Sequence, residues 1–340
     1  MIFIRQRRTS GLVATIAVAL ALVATACSSG DENALTIYSG RSEDLVQPLI
    51  DQFTDETGIE VTVRYAGSAD LAATILEEGE RSPADLFYAQ DPASLGSVAL
   101  AGLFTELDAD VIAAVPQRFS DTSGRWAGVS GRARVVVYDS ATIDPAILPE
   151  SEDGFTDSEW AGRVGIAPTN GSFLSFVAAK ILADGEDATL TWLEAMKANS
   201  SPTYAKNSPI VAAVNAGEID AGLVNHYYLL RALAENPNET GRNSFFAIPT
   251  AGSLVMPSGI GMLETSQNKD AAAQFIRFLH TTAAQEYFAE ETFEYPLVPG
   301  IPANEQLPAI DTIPTPTIDL SNLASVLDRA TDLVAEAGLI

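Results

Sequence analysis

The feature that most restricts this chain is a regular alternation of short apolar strands and amphipathic helices between Leu35 and Leu103. Leu35 to Tyr38 reads as a strand and Ser39-Gly40-Arg41-Ser42 as a turn. Glu43 to Glu56 reads as a helix with Leu45, Val46, Leu49, Ile50 and Phe53 on one face, closed by Gly58. Strand Glu60 to Tyr65 alternates cleanly, a helix runs from Ser68 to about Glu80, and Pro83 to Tyr88 is another apolar strand. Asp91 followed by Pro92 supplies a helix cap and a proline at the first helical position, leading into Ala93 to Leu103. This βαβαβα order predicts an α/β fold with a mostly parallel sheet covered by helices. It also puts the turns at Gly40 to Ser42, Gly67 to Asp70 and Gln90 to Asp91 at carboxyl ends of strands, where such sheets bind ligands.

Further along, the β-branched run Ser130 to Tyr138 is long enough to cross from one lobe to another, and Gly252 to Leu263 is a second candidate crossing strand. Arg163 to Pro168 begins a second sheet, and Thr169-Asn170-Gly171-Ser172 leads into a helix from Phe173 to Ala183. Ser208 and Pro209 read as the cap and first position of a helix that ends at Gly217. Ile219 to Val224 is then a buried strand, with Asn225 placed to cap the helix through Tyr227 to Leu233. Asp270 to Leu279 is an amphipathic helix, six prolines from Pro296 to Pro316 mark an irregular stretch, and a helix from about Ser321 to Ala337 closes the chain. Two crossings imply two lobes of discontinuous sequence: residues 34–130 with 256–300, and 131–255 with 301–340.

A chain of 340 residues with 47% hydrophobic content buries a core of that size. The N-terminus stands apart. Arg5, Arg7 and Arg8 precede an apolar run from Leu12 to Ala26, which predicts an export signal over 1–26. Cys27 is the only cysteine, and its setting resembles a bacterial lipoprotein signal, with residues 27–33 as a short tether; Ala24 stands where that signal usually has leucine. The alternative is a plainly secreted protein. Beyond Cys27 the chain offers no disulfide, thiolate metal site or thiol nucleophile, and two histidines, His226 and His280, cannot make a histidine-rich metal site. The formal charge is −26, and loss of 1–26 removes three arginines and no acid, leaving −29. Such a surface repels nucleic acid and attracts cations.

The stretch LVNHYYLL, Leu223 to Leu230, carries the clearest chemistry. Tyr227 and Tyr228 fall at a strand-to-helix junction, where two phenols suit a hard cation. Neighbouring helical residues point about 100° apart, so both phenols reach one ligand only if the junction is irregular or the ligand lies over the helix start. The competing reading is an aromatic pair in the core. Small residues at Asn170 to Ser172 suit an anion at a helix start, against an ordinary capped turn. Capping is likewise the plain reading of Asp91. Trp126, Trp160 and Trp192 read as core or rim aromatics.

Taken together, YSGRSED, SPADLFYAQD, SGRARVVVYD, TNGSFL, YAKNS and LVNHYY, in this order from about Leu35 to Leu339, resemble the periplasmic ferric-iron-binding proteins of ABC importers, or bacterial transferrins. The resemblance implies a two-lobed type II periplasmic binding fold joined by crossing hinge strands. It implies Fe³⁺ held by Tyr227 and Tyr228 with a synergistic phosphate or carbonate, the anion at Asn170, Gly171 and Ser172, and Asn207 and Asn225 completing the pocket. Two positions depart from the best-known pattern. Ser42 stands for a histidine and Gln90 for a glutamate, so Asp91 or Gln90 is left as an optional metal donor, and Arg41 with Ser42 is added to the anion set. His226 is expected to point away from the ion and His280 to lie at the surface. The implied role is a monomeric, non-catalytic protein that captures ferric iron or a ferric chelate and delivers it to an ABC permease and ATPase, with any membrane attachment through Cys27. A binder of an oxyanion or small organic phosphate is the alternative. An extracellular hydrolase is remote, because neither a Ser-His-acid pattern nor a GxSxG elbow is present.

Overall fold

The computed structural model describes Met1 and residues 34–340; the expected signal, Cys27 and the tether lie outside the described residues. The first part of the chain folds as β1 (Ala34–Ser39), α1 (Glu43–Thr57), β2 (Glu60–Tyr65), α2 (Ser68–Glu78), β3 (Leu86–Ala89) and α3 (Pro92–Leu100). Helix α1 buries Leu45, Val46, Leu49, Ile50 and Phe53, and Gly58, in the left-handed region, donates its N–H to Thr54 O. Asp91 caps α3 by accepting from the Ser94 N–H, with Pro92 in the first position. A short α4 (Ala109–Ala113) precedes β4 (Ala127–Asp139), which is buried along its whole length.

The second part adds β5 (Val164–Gly165), α5 (Gly171–Asp184), α6 (Glu186–Ala198), α7 (Asn207–Asn215), β6 (Ala221–Asn225), α8 (Tyr227–Glu235) and β7 (Gly241–Ser244). The return is made by β8 (Val255–Met262), α9 (Lys269–Leu279), α10 (Thr282–Glu290) and β9 (Tyr295–Pro296), and α11 (Leu327–Glu336) ends the fold.

Strand order is β2-β1-β3-β8-β4-β6-β5, with β7 and β9 also paired to β4. The expected mostly parallel sheets are mixed. β1 pairs in parallel with β2 and β3, and β5 with β6, whereas every pairing of β4 and β8 is antiparallel. The reason is topological: β4 leaves one lobe for the other and β8 returns, so the two run in opposite senses. Residues Ala127 to Ala133 of β4 pair with β8, while Arg134 to Asp139 pair with β6 and β7, so one strand belongs to both lobes.

One core gathers Leu35, Ile37, Phe53 and Phe275, and another gathers Phe155, Trp160, Phe173, Phe176 and Trp192. All three tryptophans are buried. The expected closing helix starts as a 3-10 segment, Leu320–Val326, before α11. Leu320 and Leu323 pack with Ala93 of α3 and with the α5 core. Gly96 of α3 meets Ala324 so closely that an added Cβ would lie 2.8 Å from the alanine's. The C-terminal segment is thus a third tie between the lobes.

Several local expectations shift. Helix α7 starts at Asn207 with Lys206 in the capping position, so Ser208 lies in the first turn and is not the cap. Asn225 ends β6, and the position before α8 belongs to His226, whose backbone is already helical and whose side chain makes no cap. His280, expected at the surface, is half-buried. Its ring nitrogens lie 2.8 Å from Ile276 O and 2.8 Å from Gly128 O, because α9 turns its apolar face onto the sheet and the residue that follows the helix meets β4.

Candidate metal centre

Both lobes point the carboxyl ends of their parallel strands toward the crossing strands. On one side β1 and β3 deliver Arg41 and the Gln90-Asp91 pair. On the other, β6 delivers Asn225 and the tyrosines, and α5 and α7 start nearby at Gly171 and Asn207. Gly40 is required where it stands: a Cβ there would lie 2.0 Å from Ser68 Oγ, and its N–H donates to Tyr88 O.

The junction at His226 is irregular enough to lay the two tyrosines side by side. Their rings stack with centroids 4.3 Å apart and an interplanar angle of 27°. Tyr227 is 2% exposed and Tyr228 half-buried. Burial, with Tyr228 beside it, pushes the Tyr227 phenol well above its ordinary value, and nearby Arg132 and Arg41 oppose the shift. A cation bound at the phenol would oppose that shift by favouring the phenolate.

Arg41 is fully buried and gives Nη2 to Glu294 Oε1 at 2.7 Å; Glu294 Oε2 accepts from Ser130 Oγ at 2.6 Å. Burial opposes ionisation of Glu294, but Arg41 and Arg132 hold its pKa below the ordinary value. Arg132, also buried, reaches only Pro257 O, at 3.4 Å. Nε and Nη1 of both arginines, and the Tyr88 hydroxyl, are buried without a protein partner. Burial pushes the Tyr88 phenol up to about 12, with Arg41 opposing. Unmatched buried donors on two guanidinium groups beside two tyrosines are what an oxyanion would satisfy.

Asn170, Ser172 and Asn207 come together at the start of α5. Asn170 Oδ1 accepts from Ser172 N–H (3.1 Å) and Ser172 Oγ (2.7 Å), and Asn207 Nδ2 donates to Asn170 Oδ1 (3.3 Å) and Ser172 Oγ (3.2 Å). This is the capped turn; Gly171 at its tip is exposed. Behind it Arg134, opposite Asn225 in register, gives Nη1 to Ser172 O, and burial pulls its pKa down to about 10. Asp91 is buried with both oxygens accepting from Ser94, so its carboxylate serves α3. Gln90 is half-buried and its backbone N–H goes to Ser68 Oγ. Ser42 is exposed.

His226 is buried, and both its ring nitrogens are engaged by backbone groups. Its Nδ1 accepts from Ala133 N–H at 3.1 Å and its Nε2–H donates to Phe293 O at 2.7 Å; burial pushes its pKa down to about 4. Residues the sequence reading missed are Arg132, Glu294, Ser130 and Tyr88. Two arginines inside the apolar run GRARVVVY were the available signal, since a buried guanidinium demands partners. Among the described residues no group of three or more His, Cys, Asp or Glu is placed to hold a metal ion.

A two-lobed fold with a ligand site where strand ends meet across crossing strands defines a substrate-binding protein. The model of the bacterial extracellular solute-binding protein family matches residues 81–320, and the chain belongs to that family. Among its relatives are the Fe(3+)-binding periplasmic protein of Serratia marcescens, 34% identical over 97% of this chain and 98% of that protein, and the major ferric iron-binding protein of Neisseria meningitidis serogroup B, 36% identical over 90% and 93%. Iron-bound HitA from Pseudomonas aeruginosa superposes with a TM-score of 0.85 at 33% identity, covering 90% of this chain and 99% of that one.

Proposed function

We propose that this protein captures ferric iron between its lobes, with Tyr227 and Tyr228 as phenolate donors and one synergistic anion completing the coordination. The observation that carries the reading is the stacked tyrosine pair beside two buried arginines with unmatched N–H groups. Hard phenolate oxygens suit a hard trivalent cation, and the ion's charge drives off the phenolic protons. Two phenolates leave the ion one positive charge. Arg41 is offset by Glu294, so Arg132 adds a second, and a dianion such as hydrogen phosphate or carbonate balances the pair. We assign that anion to Arg41, Arg132, Asn170, Gly171, Ser172, Asn207 and Asn225. Asp91 and Gln90 remain auxiliary positions, and Ser42 an outer one. The names of the relatives support iron as cargo.

In this reading the protein is exported, delivers iron to an ABC permease as a monomer, and catalyses no reaction. The lobes divide as 34–130 with 256–300 and 131–255 with 301–340, and Cys27 is the point of lipid attachment. Among the described residues no helix is long and apolar enough to cross a membrane. Adding ferric salt to purified protein should produce a visible phenolate-to-iron charge-transfer band, stronger with phosphate or carbonate than in anion-free buffer. Tyr227→Phe and Tyr228→Phe should each weaken it greatly while leaving the fold intact. Binding of phosphate with no iron band at any anion concentration would favour the second reading, an oxyanion or organic-phosphate binder, which Ser42 and Gln90 in place of metal donors recommend.

A further inference from the structure

His226 precedes the two tyrosines, and its ring and backbone together join three separate parts of the chain. Its backbone N–H donates to Ala133 O and its Nδ1 accepts from Ala133 N–H, so residue 226 is fastened to the crossing strand β4 on both sides. Its carbonyl accepts from Nδ2 of Asn243, in β7, at 2.8 Å. The remaining ring nitrogen donates to Phe293 O, on the segment that follows α10 and leads into β9. Phe293 sits at φ +59, a left-handed conformation that bulky residues rarely adopt. The next residue, Glu294, holds Arg41. The His226 ring also lies 5.0 Å from that of Tyr295 and 6.0 Å from that of Tyr227.

We propose that His226 is a positioning residue that couples closure to ligand geometry, its Nε2–H···O=C bond to Phe293 linking the tyrosine junction of one lobe to the Glu294–Arg41 pair of the other. The inference rests on the iron reading of the same site. With the bond made, the phenols and Arg41 are held on opposite sides of one ligand. Once it is broken, the lobe carrying the tyrosines can swing without dragging Phe293, and the ligand set comes apart sooner.

The two ring nitrogens can be tested separately. His226→Asn places an amide oxygen near the Nδ1 position, keeping the bond from Ala133 N–H, but falls short of Phe293. His226→Gln extends an amide N–H to the Nε2 position and keeps the cross-lobe bond. With ferric protein loaded in phosphate buffer and citrate added as competitor, His226→Asn should release iron roughly three- to tenfold faster than His226→Gln, the range expected for one neutral hydrogen bond. The charge-transfer maximum should be the same in both and in wild type, because no iron ligand changes. Equal release rates in the two variants would overturn the proposal, and so would a shifted maximum, which would put His226 into the ligand set. Wild-type protein that forms no iron band would instead remove the iron reading, and this inference with it.

Discussion

At the scale of the residue, the centre is built from groups that would be costly to bury singly. Arg41 and Glu294 have fully buried side chains 2.7 Å apart, so removing either charge strands the other in a low-dielectric interior. Glu294→Gln should lower the unfolding free energy by about 3 kcal/mol or more. The solvent-exposed pair Arg118–Asp311 has a similar separation, but water screens it, and Arg118→Ala should cost no more than about 1 kcal/mol. Urea unfolding of both variants checks the contrast; similar losses would mean that burial does not set the energetics of the Arg41 pair. Tyr227 obeys the same logic from the other side, since a deeply buried phenol keeps its proton until a cation arrives.

At the scale of the element, β4 organises the molecule, and its far end is pinned by Asp139. Burial opposes the charge of that carboxylate, but hydrogen bonds outweigh it, including those from Ala141 N–H and Thr142 Oγ1 at 3.0 Å each, and the pKa falls below the ordinary value. A depressed carboxylate stabilises the fold above its unfolded pKa, near ~4, and loses that contribution as pH falls through the lower native value. Asp139→Asn should therefore lower Tm at pH 7, and the gap to wild type should close as pH drops below about 4. A gap that stays constant through this range would show that the carboxylate charge is irrelevant to the strand end. The carboxylate of Asp91 also accepts the hydrogen bonds of its turn, but there burial outweighs them and the pKa is raised, so the charge itself does not stabilise α3 in the way it does the end of β4.

At the scale of the whole molecule, the conformation is closed. Arg41 and Tyr227 are buried together, and at the outer edge Arg231 of α8 reaches Asp44 of α1 at 2.6 Å. That pair is 35% and 56% exposed, so it adds little to global stability. It does span the two lobes, however, and its attraction is present only when they are shut. Arg231→Ala should leave Tm unchanged and raise the rate of iron loss to citrate by roughly twofold at low ionic strength. The difference should vanish in ~0.5 M salt, where the Debye length is a few ångströms. A rate unaffected by the substitution at low salt would mean that the pair plays no part in closure.

Much of this was local information. Periodicity gave α1 and its buried face, the cap at Asp91 and Pro92, strand β2, and both crossing strands, because each depends on residues a few positions apart. Motif order gave the tyrosine pair and the turn at Asn170 to Ser172. What the sequence left open was whatever depends on contacts between distant segments. The antiparallel pairing of β4 and β8 follows from their opposite passage between lobes, and the contact of the His280 ring with Gly128 O follows from how α9 meets the sheet. Glu294 finds Arg41 across 253 positions and His226 finds Phe293 across 67. The stacking of two adjacent tyrosines likewise required a helix start that propensity does not specify. Sequence fixes which groups are available, because side-chain chemistry is local; tertiary structure decides which of them meet, because buried charges are tolerated only where the fold brings their partners within reach.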